Sequence, residues 1–315
     1  MKRYIFRDGL ILTVVALSFW GFLLYTEPVH AAVGEASRLC AGSLIPSLFP
    51  AMVVTSFLVE SGASRGLGRA FDRWMRFLFR VPGTCMASLL PGLVAGYPVG
   101  AKTALALYES GQCSREETER LLAFANNAGP AFLLGTVGVG MYSSLRLGVL
   151  LYLSHVLSAF MVGMLFRFWK GREAPPSSPP LAGKRGSLAA AFTKSVGNAA
   201  TSALHVTAFV TFFSAASCVL FESGFLPALA CGVGLPIPFL AGLMEMTGGI
   251  RGLAMEDGPV AMVAFLVGWA GFSVHFQVLS FVGEKQLSLV PYFVGKLLQG
   301  GMAAGLTLFL LRFFT

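Results

Sequence analysis

Four interruptions of apolar sequence hold the residues of this chain that could do chemistry. The first is Pro91-Gly-Leu-Val-Ala-Gly-Tyr-Pro-Val-Gly-Ala-Lys102, with Gly96, Tyr97, Pro98, Gly100 and Lys102 as candidate binding residues. Glycines let a ligand approach the backbone closely. A half-helix that starts after such a break aims its positive dipole end at an anion. Lys102 either adds a full charge there or snorkels to the membrane interface, and both roles are open. The second interruption carries Asn126 and Asn127 ahead of Gly129-Pro130. Their amides could hold a ligand or satisfy backbone groups freed at the proline. The third holds Glu245, Thr247, Gly248 and Arg251. A carboxylate inside a membrane is costly and marks function, so Glu245 is the expected ion-coupling residue, for a proton or sodium. A structural Glu245–Arg251 ion pair is the alternative. The fourth holds Trp269, His275 and Gln277. His275 could bind or relay protons, or simply pack against a neighbouring helix.

These residues need a scaffold, and composition names its class. The chain has 315 residues, 55% hydrophobic and 12% charged, against about 25% charged in soluble domains. Several apolar runs approach the roughly 20 residues that cross a bilayer. The fold class expected is an all-α polytopic membrane protein. A plain spanning helix does not tolerate clustered Pro and Gly, because the freed backbone groups must find partners. Residues 84–108 therefore read as a re-entrant hairpin, and 226–256 as a second one.

Residues 1–30 are expected to form a first transmembrane helix, with a cleaved signal peptide ending near Val29-His30-Ala31-Ala32 as the alternative. Residues 31–61 form the next unit, expected to break at Pro46-Ser-Leu-Phe-Pro50. Between Arg69 and Arg80, aromatic residues alternate with arginines, the pattern of an amphipathic helix at a membrane surface. Ser114 and Glu117 form a capping box for a polar helix. Leu145 to Trp169 is a clean span. Residues 170–187, with four prolines among serines, read as an extended cytoplasmic linker.

Residues 188–315 then repeat 31–169. Val33-Gly-Glu-Ala is answered by Val196-Gly-Asn-Ala, Glu60-Ser-Gly by Glu222-Ser-Gly, and Ala128-Gly by Ala270-Gly. Tyr152 and His155 are answered by Tyr292 and Lys296. Such ordered self-similarity marks duplicated units. Basic residues at 62–82 and 167–172 place those segments inside, so the first repeat crosses an odd number of times and the second is inverted. Inverted repeats with discontinuous segments are transporter architecture.

The net charge of +8 is spread beside apolar runs and is no nucleic-acid signature. The five cysteines lack C-x-x-C spacing, and no disulfide framework or zinc site is expected. His30, His155 and His205 lack metal-ligand spacing. No P-loop, hydrolase or dinucleotide motif occurs, so neither enzyme activity nor a cofactor is expected. The expected partners are a small anionic solute and the bilayer, and a homo-oligomer is left open.

Pro46-Ser-Leu-Phe-Pro50, Gly96-Tyr-Pro-Val-Gly-Ala-Lys102, Asn126-Asn-Ala-Gly-Pro130, Gly135-Thr-Val-Gly138, Glu245-Met-Thr-Gly248 and Val274-His-Phe-Gln277 together resemble the YlbJ family of sporulation integral membrane proteins. That family carries gate, or nucleoside-recognition, domains distantly like those of concentrative nucleoside transporters. The resemblance covers roughly residues 30–312. It implies a transporter of dipicolinic acid, a planar dianion, acting between mother cell and forespore at the outer forespore membrane. Two opposed half-helix N-termini with Lys102 or Arg251 would suit its two carboxylates. A nucleoside-type cargo and a non-transporting scaffold for spore-envelope assembly are the competing readings.

Overall fold

The computed structural model describes residues 2–170, 187–283 and 285–314. The expected linker at 170–187 thus lies almost wholly outside the described residues. All regular structure among the described residues is helical. Among the described residues, five helices are long and apolar enough to cross a membrane, or up to seven if two bent pairs each count as one span.

Helix α1 (Lys2–Leu24) touches the body where Gly21 lies against Val219 and Phe22 against Phe212. Leu12, Leu17, Phe19 and Trp20 are exposed, as lipid-facing residues would be. Helix α2 (Thr26–Glu60) is continuous through Pro46 and Pro50. The expected break is replaced by a widened, π-type turn at Cys40–Leu44, where Ile45 N–H bonds the Cys40 carbonyl. In that register a carbonyl looks five residues ahead, so the missing N–H of Pro46 falls out of step with the ladder.

Helix α3 (Ser64–Phe79) is the amphipathic one, with Trp74 and Phe77 exposed and Met75 and Phe79 buried. It ends at Arg80 in a left-handed conformation, and Asp72 accepts from Gly83 N–H at 2.8 Å to fix a 96° bend into the next helix. That bond and Arg76, pushing against partial burial, hold the Asp72 carboxyl below its ordinary range.

Helices α4 (Met86–Val94) and α5 (Val99–Glu109) form the first hairpin. At its tip Gly96 has φ +83°, which favours glycine. The two arms close on each other and on a neighbouring loop through Gly92 and Gly100: a Cβ on either would come within 2 Å of the Ala125 carbonyl. Helix α6 (Arg115–Leu122) starts with the expected capping box. The chain then unwinds from Ala123 and resumes as the wide helix α7 (Ala131–Met141). Helix α8 (Leu145–Phe166) closes this half.

The second half follows the same order. A long helix α9 (Leu188–Glu222) is followed by α10 (Phe225–Val233), which turns 117° into α11 (Ile237–Met244). Gly234, in the left-handed region, and Pro236 end α10, so the expected hairpin at 226–256 resolves into a separate short helix plus a tighter hairpin. That hairpin is α11 and α12 (Met246–Met255), with its tip at the extended residue Glu245. A broken helix follows, α13 (Val260–Trp269) and α14 (Gly271–Val282), interrupted where Ala270 and Gly271 both take φ +77°. Helix α15 (Val290–Phe314) closes the chain.

Counterpart helices pack on each other, α2 on α9 and α8 on α15. Helices α2 and α9 run antiparallel: Glu60 meets Lys194 at one end, and Ala32 faces Phe221 across a cavity at the other. Glu119 ties the base of the first half to the second. It accepts from Lys170 (2.7 Å), Ser288 N–H (2.8 Å), Trp169 (2.9 Å) and Arg115 (3.0 Å). Burial pushes this carboxyl up, but the four bonds outweigh it and hold it at about 2.

Candidate functional site

Three cavities lie in sequence along the seam between α2 and α9. The first, about 430 Å³, is lined by Glu35 and Leu39 of α2, Ser214 and Cys218 of α9, and Glu245 and Arg251 of the second hairpin. The central one, about 40 Å³, is lined by Leu44 and Leu48 of α2 and by Val206 and Val210 of α9. The third, about 80 Å³, is lined by Ser56 and Glu60 of α2, Asn198 and Ser202 of α9, and Lys102 of the first hairpin. Residue numbers rise along α2 and fall along α9 through the series, so the cavities lie in order along the seam.

All four interruptions meet in the central cavity. Gly96 and Tyr97 come from the first hairpin tip, Ala128 and Gly129 from the first unwound segment, Glu245 and Thr247 from the second tip, and Ser273 and Gln277 from α14. Glu245 also lines the large cavity, so it stands between the two. Its carboxylate caps α12, accepting from Thr247 N–H at 2.9 Å and Gly248 N–H at 2.7 Å. The positive end of that helix is therefore already occupied by the protein's own carboxylate. The expected pairing of this helix terminus with an anionic cargo does not arise in this conformation.

Arg251 does not pair with Glu245. It forms an ion pair with Glu35 of α2 at the mouth of the large cavity. Lys102 reaches α9, donating to the Asn198 carbonyl at 3.2 Å and Ser202 Oγ at 3.0 Å, away from the central cavity. These two contacts correspond: Arg251 and Lys102 stand at the same offset from their hairpin tips, and Glu35 and Asn198 occupy the same place in Val-Gly-x-Ala of the opposite half.

Pro98, Gly100, Asn126, Asn127 and His275 do not line the central cavity. Gly100 seats the Ala125 carbonyl, and Pro98 caps the first turn of α5. Asn126 and Asn127 are fully buried. Asn127 donates to the Phe124 carbonyl at 2.7 Å and accepts from Gln299 at 2.8 Å, while Asn126 Oδ1 accepts from Ala101 N–H at 3.4 Å. His275 is sealed between Trp269 and Tyr292, with Nδ1 3.0 Å from the Tyr292 hydroxyl. Gln277 Oε1, Ser273 Oγ and His275 Nε2 have no hydrogen-bond partner among the described residues, and buried polar atoms of this kind seek one. Sequence reasoning named Lys296 only as a repeat match and did not name Gln299 at all. A lysine and a glutamine one turn apart in an otherwise apolar helix was the available signal. Among the described residues no group of three His, Cys, Asp or Glu could hold a metal.

The fold and this convergence define an integral membrane protein built from broken helices around a seam. Residues 41–168 match the Gate family model, described as nucleoside recognition. The chain is 31% identical to the sporulation integral membrane protein YlbJ of Bacillus subtilis (strain 168), over 93% of this chain and 81% of that protein. The chain belongs to the YlbJ family of sporulation integral membrane proteins. No solved structure matches it.

Proposed function

We propose that this protein moves a small anionic solute across the membrane by alternating access, and that its cargo is dipicolinic acid, passed from the mother cell toward the forespore across the outer forespore membrane. The observation that carries transport is the line of three cavities along the α2–α9 seam, with both hairpin tips meeting in the central one. A scaffold has no use for that convergence, and the cavity presents no catalytic constellation.

The central cavity, at about 40 Å³, has room for only a few water molecules. The large cavity has room for a heterocyclic dicarboxylate. This conformation is thus read as open on the Arg251 side and closed on the Lys102 side. By the placement of basic segments, the Lys102 side is cytoplasmic, and the two halves are inverted repeats. Each end carries a corresponding basic contact, Arg251 with Glu35 and Lys102 with Asn198, so each hairpin is latched to the long helix of the other half.

Glu245 sets the coupling. An anion entering the central cavity meets this carboxylate, and like charges at short range in a low-dielectric site repel strongly. A cation bound at Glu245, proton or sodium, removes the repulsion. Cation and anion then travel together. The choice of cargo rests on the family resemblance and on the two cationic latches. Competition distinguishes it: unlabelled dipicolinate should block uptake of labelled dipicolinate into proteoliposomes, and uridine should not. Inhibition by uridine alone would assign a nucleoside-type cargo.

A further inference from the structure

Lys296 is fully buried in α15 and lines none of the three seam cavities. Its Nζ donates to the Asn126 carbonyl at 2.8 Å and to Gln299 Oε1 at 2.7 Å, and it lies 5.1 Å from the centroid of the Tyr97 ring. Among the described residues no carboxylate pairs with it. The other titratable groups facing this region are His155 of α8, His275 of α14 and Tyr292 of α15 itself. His155 Nε2 accepts from Ala128 N–H at 3.0 Å, and His275 is bonded to Tyr292, so neither supplies an acceptor to Nζ.

The surroundings of Nζ are all electron-rich: a backbone carbonyl, an amide oxygen and an aromatic face. None is a donor. Three such neighbours call for three N–H bonds, the complement of an ammonium, whereas a neutral amine would leave its lone pair facing nothing. The Asn126 carbonyl is available because the chain unwinds there. Carbonyls of unwound helices are what transporters use to hold sodium. Burying an ammonium in a membrane protein is costly, and such residues sit where they serve the pathway.

The geometry points to Lys296 as a tethered cation that occupies, beside the first hairpin, the place an exchangeable sodium ion would otherwise take. It neutralises the freed carbonyl of the unwound segment and braces Tyr97, which forms the cavity wall. The consequence is that this half of the site needs no sodium, and exchangeable cation binding is confined to Glu245. This deepens the proposed coupling at Glu245 but does not depend on which solute is moved.

The test uses the full-length purified protein and sodium alone as probe. A Glu245→Gln background removes the other hairpin's cation site. In that background, unfolding midpoints should be the same in sodium chloride and choline chloride. Adding Lys296→Ala should create a sodium dependence, with the midpoint several degrees higher in sodium than in choline, as a newly bound ligand requires. Purification of the double variant in sodium but not choline is the same result in stronger form. A sodium response with Lys296 present, or none after its removal, overturns the inference. If the alanine variant is unstable in both salts, Lys296→Met and the Lys296-containing background decide: sodium stabilisation of the latter contradicts the reading, and sodium indifference there with sodium rescue of Lys296→Met upholds it. If the sodium arms come out as expected while no solute is transported, the transport reading alone fails.

Discussion

Tyr97 donates its hydroxyl hydrogen to the Val267 carbonyl at 2.6 Å, joining the tip of the first hairpin to the broken helix of the second half. In a continuous helix that carbonyl would accept from residue 271. Ala270 and Gly271, both at φ +77°, end the ladder one residue too early, and Tyr97 takes over. A break in one half is thus satisfied by a tip in the other, which couples the two halves at the cavity.

Tyr97→Phe should leave that buried carbonyl without a partner, at a cost of about 1–3 kcal/mol. The thermal midpoint of the purified protein should fall, and solute flux should fall further than stability alone explains, because the lost hydroxyl joins the first hairpin tip to the broken helix beside the cavity. An unchanged midpoint would show that another group or a water satisfies Val267.

The Arg251–Glu35 pair should behave as a latch. Both side chains are about half exposed, so the pair contributes about 1 kcal/mol or less. The pair is formed while the large cavity is open, so Arg251→Glu should lower access to that cavity by roughly two- to fivefold, and Arg251→Glu with Glu35→Arg should restore it. The measure is the rate at which an impermeant maleimide labels a single cysteine placed at Ser214, which lines that cavity. Equal rates in all three proteins would remove the latch.

Glu119 predicts a pH signature. Its folded value of about 2 lies below the ordinary 4.5, so its contribution to stability is complete above about pH 4.5 and is lost as pH falls toward 2. Glu119→Gln should cost roughly 1–2 kcal/mol at pH 7, since four donors lose the carboxylate while the Lys170 and Arg115 charges stay partly solvated. It should also flatten the stability profile between those pH values. A variant that keeps the wild-type acid profile would show that other carboxylates govern it.

Much of this architecture was legible in the sequence, because it is written in local signals. Gly96, the Ala128-Gly and Ala270-Gly pairs and Glu245 all mark real interruptions, and Ser114 with Glu117 makes a capping box. The prolines of α2 misled, since a widened helical turn absorbs a missing N–H without ending the helix. Partners across the two halves were not legible. Arg251 finds Glu35 rather than Glu245, and Asn126 finds Lys296, through contacts that leave no local spacing. Asn126 and Asn127 were read as ligand or backbone groups, and the structure shows them in the buried network that holds the unwound segment.

The central claim is cation-coupled anion movement through Glu245, and uptake of labelled dipicolinate into proteoliposomes tests it most directly. With wild-type protein, uptake should saturate and should rise with an inward proton or sodium gradient. Glu245→Gln, correctly inserted and with its thermal midpoint retained, should lose the gradient dependence and at least about tenfold of the driven rate. Gradient-dependent uptake that survives Glu245→Gln would contradict the account, as would an absence of uptake from wild-type protein under either gradient.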